Sequence, residues 1–128
     1  MSQTTNKEFL EIATKQFDTC IDLLNHKYQS QYKENHTKEK EKEKEDRFAH
    51  FKKGGVLTNQ SGLQFLATQM AKHTLTLNDI IPIESMIPPA LFIEVITDHI
   101  NYLLLLRGML EEIWLERNPP KPKVNPGV

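Results

Sequence analysis

Apolar positions recur at three- and four-residue intervals along most of the chain, and strict alternation is nowhere sustained. Phe9, Ile12, Phe17, Cys20, Ile21, Leu24 and Tyr28 form the first such series, which predicts a helix with one core face. Thr5 and Glu8 match a capping box, with Thr5 as N-cap and Glu8 as the third helical residue, and the helix is expected to end near Tyr32. From Lys38 to Asp46 the sequence alternates Lys and Glu. In a helix its i,i+3 pairs are opposite in charge and its i,i+4 pairs alike, so the local gains nearly cancel; a solvated connector or helix extension is expected. Phe48 and Phe51 then turn one face of a short helix inward, and Lys52, Lys53, Gly54 and Gly55 are expected to break it.

Thr58 is the expected cap of the next helix, which carries Leu63, Leu66, Ala67 and Met70 inward and closes near Lys72, His73 and Thr74. Asn78–Asp79, Pro82, Pro88 and Pro89 mark turns or short helical pieces, with Pro89 suited to the first turn of a long last helix. That helix, Pro89 to Arg117, is rich in Leu and Ile and free of Gly until Gly108. The pattern predicts an all-α bundle of about four helices as one domain over residues 1–117. Residues 38–46 form its charged connector and 118–128 a loose proline-rich tail.

The last helix has a polar stripe set into it. Glu94, Asp98 and Asn101, at spacings of four and three, fall within a narrow sector flanked by Leu91, Phe92, Ile93, Val95, Ile96, Ile100, Leu103 and Leu104. A helix apolar nearly all round is usually buried, so the stripe is expected to face protein. Buried carboxylates are costly unless they meet a metal, a cation or ligand donors. Glu94 and Asp98 together can ligate a hard cation such as Mg²⁺, which takes oxygen ligands and retains waters. Equally, they can form a pair neutralised by Arg47 or Lys72 that holds two helices in register.

Charge and composition narrow the partners. A chain of 128 residues supports one modest core, and its net charge of −1 gives no global attraction to nucleic acid or acidic membranes. Anion binding must therefore come from a local cluster. Cys20, the single cysteine, reads as a small core residue in a reducing compartment. The polar N-terminus has no signal core, and Leu103–Leu106 is the longest pure leucine run, so a soluble cytoplasmic protein without a membrane span is expected.

Candidate cations are few. Lys72 and His73, read at the end of the third helix, would complement its dipole or face an anion. Arg47 beside two phenylalanines offers a planar guanidinium suited to phosphate or carboxylate. His50 is either a satisfied histidine at the core edge or a ligand contact. Asn101 can donate and accept at a base or ribose, and Tyr102 can stack; each is also an ordinary packing residue with a satisfied polar end. His99 points away from the polar sector. No Ser–His–Asp or Cys–His arrangement and no phosphate loop has support, since Gly54–Gly55 lacks the flanking strand.

The order Asp46-Arg47-Phe48-Ala49-His50-Phe51-Lys52, then Lys72-His73, then Glu94-Val95-Ile96-Thr97-Asp98-His99-Ile100-Asn101-Tyr102 resembles the nucleotide-modification-associated, DUF1599-like phage proteins. Their last helix is in turn similar to that of the MazG-type all-α nucleotide pyrophosphatases. The resemblance covers residues 40–115 and is most specific in the acid-x-x-x-Asp-x-x-Asn-Tyr run. It implies an oligomeric bundle that handles a phosphorylated nucleotide, with Glu94 and Asp98 as metal or phosphate-site acids and Arg47 and Lys72 facing phosphates. The chain departs from the MazG pattern in lacking a matching Glu-Glu-x-x-Glu element, since Glu111 and Glu112 come too late. His50 stands where the phage proteins tend to carry Asn.

Three functions follow as expectations. The first is an interhelical site that binds and keeps a nucleotide-like phosphorylated small molecule, as a phage protein sequestering a host immune-signalling nucleotide would. The second is a Mg²⁺-dependent nucleotide pyrophosphatase, and the third a ligand-free adaptor that self-associates. Three short helices cannot cover a last helix apolar on most faces, so a homo-oligomer is expected.

Overall fold

The computed structural model describes residues 2–33 and 46–121. Among the described residues there are four α-helices and no strand: α1 (Asn6–Lys33), α2 (Ala49–Leu57), α3 (Gly62–Ile80) and α4 (Pro89–Arg117). A short 3-10 segment, Ile81–Met86, joins α3 to α4. The architecture is the all-α bundle with a long final helix that the periodicity predicts. Residues 38–45 of the charged run and 122–128 of the tail lie outside the described residues, while Asn118–Lys121 are non-helical and exposed.

Local chemistry sets several boundaries as expected. At the start of α1 the Thr5 hydroxyl accepts the Glu8 N–H at 3.2 Å and donates to the Glu8 carboxylate at 3.0 Å. Pro88, in extended backbone, precedes Pro89 at the first position of α4, where a missing N–H is no loss. Arg117 closes that helix with a charge favourable to its dipole.

Other boundaries differ. Ser61, not Thr58, caps α3: its hydroxyl accepts the Gln64 N–H at 3.1 Å, and the Gln64 side chain accepts the Ser61 N–H at 2.9 Å. Thr58 instead ends α2, donating its hydroxyl to the Gly54 carbonyl at 2.8 Å. Gly54 and Gly55 do not break α2 but lie buried inside it. They are small because α3 lies so close: a Cβ on Gly54 would run into the Phe65 ring, and one on Gly55 would stand 2.6 Å from the Gln60 carbonyl oxygen. Helix α3 does not close at Thr74 but continues through Asn78–Asp79 to Ile80, until the backbone at Ile83 leaves helical geometry.

The core is the junction of α2, α3 and α4. Phe51, Leu66 and Met109 meet there, surrounded by Phe48, Leu63, Phe65, Tyr102, Leu105 and Leu106. Helices α3 and α4 run antiparallel, since Gly62 lies by Met109 while Thr74 lies by His99. Ala67 is exposed and Met70 only half-buried, so the inward face of α3 is narrower than its apolar pattern. Helix α1 rests on α4 along a thin seam and runs parallel to it. The Gln16 amide donates to the Thr97 hydroxyl at 2.7 Å, and Cys20 is wholly buried with its Sγ 4.0 Å from the Thr97 carbonyl oxygen. Of the rest of the predicted core face, Leu24 is half-buried, while Phe9, Ile12, Phe17 and Ile21 are more than half exposed. One helix offers α1 only one stripe to pack against.

By length and composition α4 is also apolar enough to cross a membrane, although no leucine run in it approaches that length. A core helix passes the same test, and α4 packs against both α1 and α3.

Replacing Gly55 by Ala is expected to destabilise the bundle by about 1–3 kcal/mol, because the Gln60–Ser61 backbone must move to admit a methyl group. Urea unfolding followed by circular dichroism reads this directly; an unchanged midpoint would mean that α2 and α3 are not in such close contact.

Candidate functional site

One face of α4 gathers the site. Asp98, Asn101, Tyr102 and Leu105, at helical spacings of three, one and three, line a cavity of about 300 Å³. Leu24 of α1, Arg47 just before α2, His50 and Phe51 of α2, and His73 of α3 complete its wall. All four helices therefore contribute, and six of the eight residues expected at a site stand together in one recess. An adjoining groove of about 410 Å³ shares Leu24, Arg47 and Leu105 with it and is otherwise mainly apolar, lined by Ile21, Phe48 and Leu104.

Arg47 is brought in by a short polar clamp. The Asp46 carboxylate accepts the Phe48 N–H at 2.9 Å and pairs with Lys52 at 2.6 Å, while the same ammonium reaches Glu112 of α4 at 2.5 Å. Phe48 lies over Gly108. These contacts seat the start of α2 on α4, and the Arg47 guanidinium then donates to the Leu24 carbonyl of α1 at 3.2 Å. The hydrogen bond from Lys52, followed by that to Phe48, holds the Asp46 carboxyl below its ordinary range; its hydrogen bonds to Asp46 and Glu112 push Lys52 up to about 12. Both groups are well exposed, so each ion pair contributes only ~0.2–1 kcal/mol.

Aromatic rings order the side of the cavity formed by α3. The His73 and Tyr102 rings stand 4.7 Å apart, tilted by 38°, and Phe51 meets Tyr102 edge-on at 6.3 Å. His50 packs edge-on against Phe51 at 5.4 Å and Phe65 at 6.1 Å, so it is both a core-edge ring and a wall of the recess. Burial, then the negative charge of Asp98, raises the Tyr102 phenol above its usual range.

Asn101 is the anomalous group. It is only 6 % exposed, and its Oδ1 has no hydrogen-bond partner among the described residues. A buried amide oxygen left unpaired costs about 1–3 kcal/mol. By contrast Thr97, one turn earlier and 2 % exposed, is fully engaged: it accepts from Gln16 and donates to the Ile93 carbonyl at 2.6 Å. The spacing of the two is legible in the sequence, but Thr97 as the buried polar neighbour is not, because Gln16 of α1 selects it only after docking.

Two expected site residues fall elsewhere. Glu94 is exposed and does not line the recess, so the buried polar strip of α4 is Thr97–Asn101 rather than Glu94–Asp98–Asn101. The carboxylate and amide oxygens that α4 offers inside the cavity are those of Asp98 and Asn101, and among the described residues no group of three His, Cys, Asp or Glu side chains could hold a metal ion. Lys72 is exposed in mid-helix, 3.4 Å from the Gln69 amide oxygen. Successive helical residues lie about 100° apart, so turning His73 toward α4 turns Lys72 away. Nor do the two cap α3, which continues past them. His99, outside the recess, meets the Thr74 hydroxyl at 3.3 Å.

Comparison with known protein families, with curated proteins and with solved structures gives no match.

An unpaired buried acceptor kept for a ligand has a thermodynamic signature. Asn101→Leu is expected to leave the ligand-free protein as stable as before, or to stabilise it by up to about 1–3 kcal/mol. Chemical denaturation of the two proteins checks this. A loss of stability would show that the amide serves the fold.

Proposed function

We propose that this protein binds a small phosphorylated, nucleotide-like molecule in the recess between α1, α2, α3 and α4, and retains it. The observation that carries the reading is the buried, unpartnered Oδ1 of Asn101, a residue that lines a cavity together with a guanidinium and two imidazoles. Protein interiors rarely leave such an atom unpaired, and a ligand supplying a donor would satisfy it. Arg47 offers a planar fork that suits phosphate oxygens, and His73 with Tyr102 offers ring faces to a base. The cavity volume lies at the small end of the range for ligand sites, in keeping with a mononucleotide-sized guest. The resemblance to phage nucleotide-handling proteins points the same way and suggests sequestration of a signalling nucleotide in the host cytoplasm as the purpose. With Glu94 outside the recess, retention without hydrolysis is the favoured form of this reading.

Native mass spectrometry of the purified protein, with and without chelator, tests it. A retained organic phosphate that survives chelation and is lost in Arg47→Ala is the expected result. At a free concentration of about 100 times its Kd, the same compound should stabilise the fold by about 2.7 kcal/mol. Conversion of added nucleoside triphosphate to monophosphate and pyrophosphate, abolished by chelator, would replace retention by Mg²⁺-dependent hydrolysis. If no phosphate-bearing compound is retained or binds, the reading fails.

A second reading, self-association, has its own observation. Leu10, Phe17 and Ile21 lie on one side of α1 and Phe9 and Ile12 on another, all more than half exposed. We propose that a second copy of the chain covers them, as expected for an oligomer with or without a ligand. Sedimentation should show a dimer or larger species that dissociates when Leu10 and Phe17 are both replaced by Glu. A monomeric parent protein would refute this.

A further inference from the structure

The recess is chemically polarised, and this constrains how a guest can lie in it. On the α4 wall are two acceptors, the Asp98 carboxylate and the Asn101 amide oxygen, one helical turn apart. At the end shared with Leu24 of α1, Leu105 and the adjoining groove is the Arg47 guanidinium, which has only donors. A phosphate at neutral pH is an acceptor and an anion. It cannot satisfy Asn101 Oδ1, and beside Asp98 it would meet a like charge. A heterocyclic base, in contrast, carries ring or exocyclic N–H groups next to ring acceptors, the pattern that an Asn amide pairs with through two hydrogen bonds. The ring faces of His73 and Tyr102, 4.7 Å apart and held by the edge contact of Phe51 on Tyr102, lie beside that amide.

Resting on the nucleotide reading, we infer that the ligand lies in one orientation. A hydrogen-bond-donating base edge sits on Asn101 Oδ1 beside the His73–Tyr102 rings, and the phosphate sits on Arg47. Asn101 thus reads the base, and Arg47 holds the charge whatever the base is. The substrate class is a nucleoside phosphate, because a base brings both a donor edge for Asn101 Oδ1 and a flat face for the His73 and Tyr102 rings, whereas a sugar phosphate has hydroxyl donors but no such face.

Isothermal titration of the intact protein with the four nucleoside monophosphates and with ribose 5-phosphate, which lacks a base, tests the assignment. At least one nucleotide is expected to bind about tenfold or more tightly than ribose 5-phosphate, the margin of roughly one satisfied buried hydrogen bond. Asn101→Leu should narrow that margin, weakening the nucleotide about tenfold and ribose 5-phosphate by less. Arg47→Ala should weaken the nucleotide and ribose 5-phosphate alike by about tenfold or more, and Arg47→Lys should restore part of the loss. Circular dichroism of each variant establishes that it folds, and the wild-type comparison of nucleotide with ribose 5-phosphate needs no variant. The orientation is overturned if Asn101→Leu weakens ribose 5-phosphate as much as the nucleotide, or if Arg47→Ala leaves ribose 5-phosphate binding intact. If neither nucleotides nor ribose 5-phosphate bind the wild-type protein, the nucleotide reading falls and takes this inference with it, an outcome distinct from binding in the wrong orientation.

Discussion

The close packing of α2 onto α3 and α4, centred on Phe51, Leu66 and Met109, is the constraint from which the remaining geometry follows. It requires α2 to lie against α3 without side chains at Gly54 and Gly55. Once α2 is seated there, its first turn is fixed against α4 by Phe48 and by the Lys52 ion pairs. Arg47, next in the chain to Phe48, then donates to the Leu24 carbonyl of α1. A recess opens where the four helices cannot all meet, and its rim is set by the same contacts that form the core.

Two polar groups on α4 show how this packing separates structure from site. Thr97 and Asn101 are both buried, four residues apart on one helix. Thr97 is satisfied by Gln16 and by its own helix, and so helps to fasten α1. Asn101 lines the recess and leaves its buried Oδ1 unpaired, at a local cost in stability. Among the described side chains of α1, Cys20 alone is wholly buried, in the seam around Thr97. Because α1 supplies the wall beside Arg47, its docking is the step that closes the recess on that side.

The same narrow seam accounts for the uneven surface. Apolar side chains of α1 that would fill a core in a larger bundle are left in solvent, as are Leu103, Trp114 and Leu115 of α4. Where α4 leaves the bundle, the Arg107 guanidinium lies 5.2 Å from the centre of the Trp114 ring and pairs with Glu111, giving part of that face a charged cover. The N-terminal half of α1 has no such cover on Phe9, Ile12 and Phe17.

Local rules were enough for the fold class. The capping pair Thr5–Glu8, the prolines before α4 and the three- and four-residue periodicity act within a few residues of chain, so they could be read directly. The cluster Asp98, Asn101 and Tyr102 was legible for the same reason, since one helix face brings it together. Gly54 and Gly55 read as a helix break because local propensity disfavours glycine there; the steric demand of Phe65 and the Gln60–Ser61 backbone reverses that preference. Lys72 and Glu94 belong with the site by charge and spacing, but the rotation of α3 and α4 about their axes turns them outward and keeps His73, Asp98 and Asn101 on the recess. The sequence by itself therefore determined the helical class, the start of the first and last helices, and which α4 residues share a face. Tertiary packing alone decided the rotation of each helix, and with it which polar side chain is satisfied, which is exposed, and which is left buried without a partner.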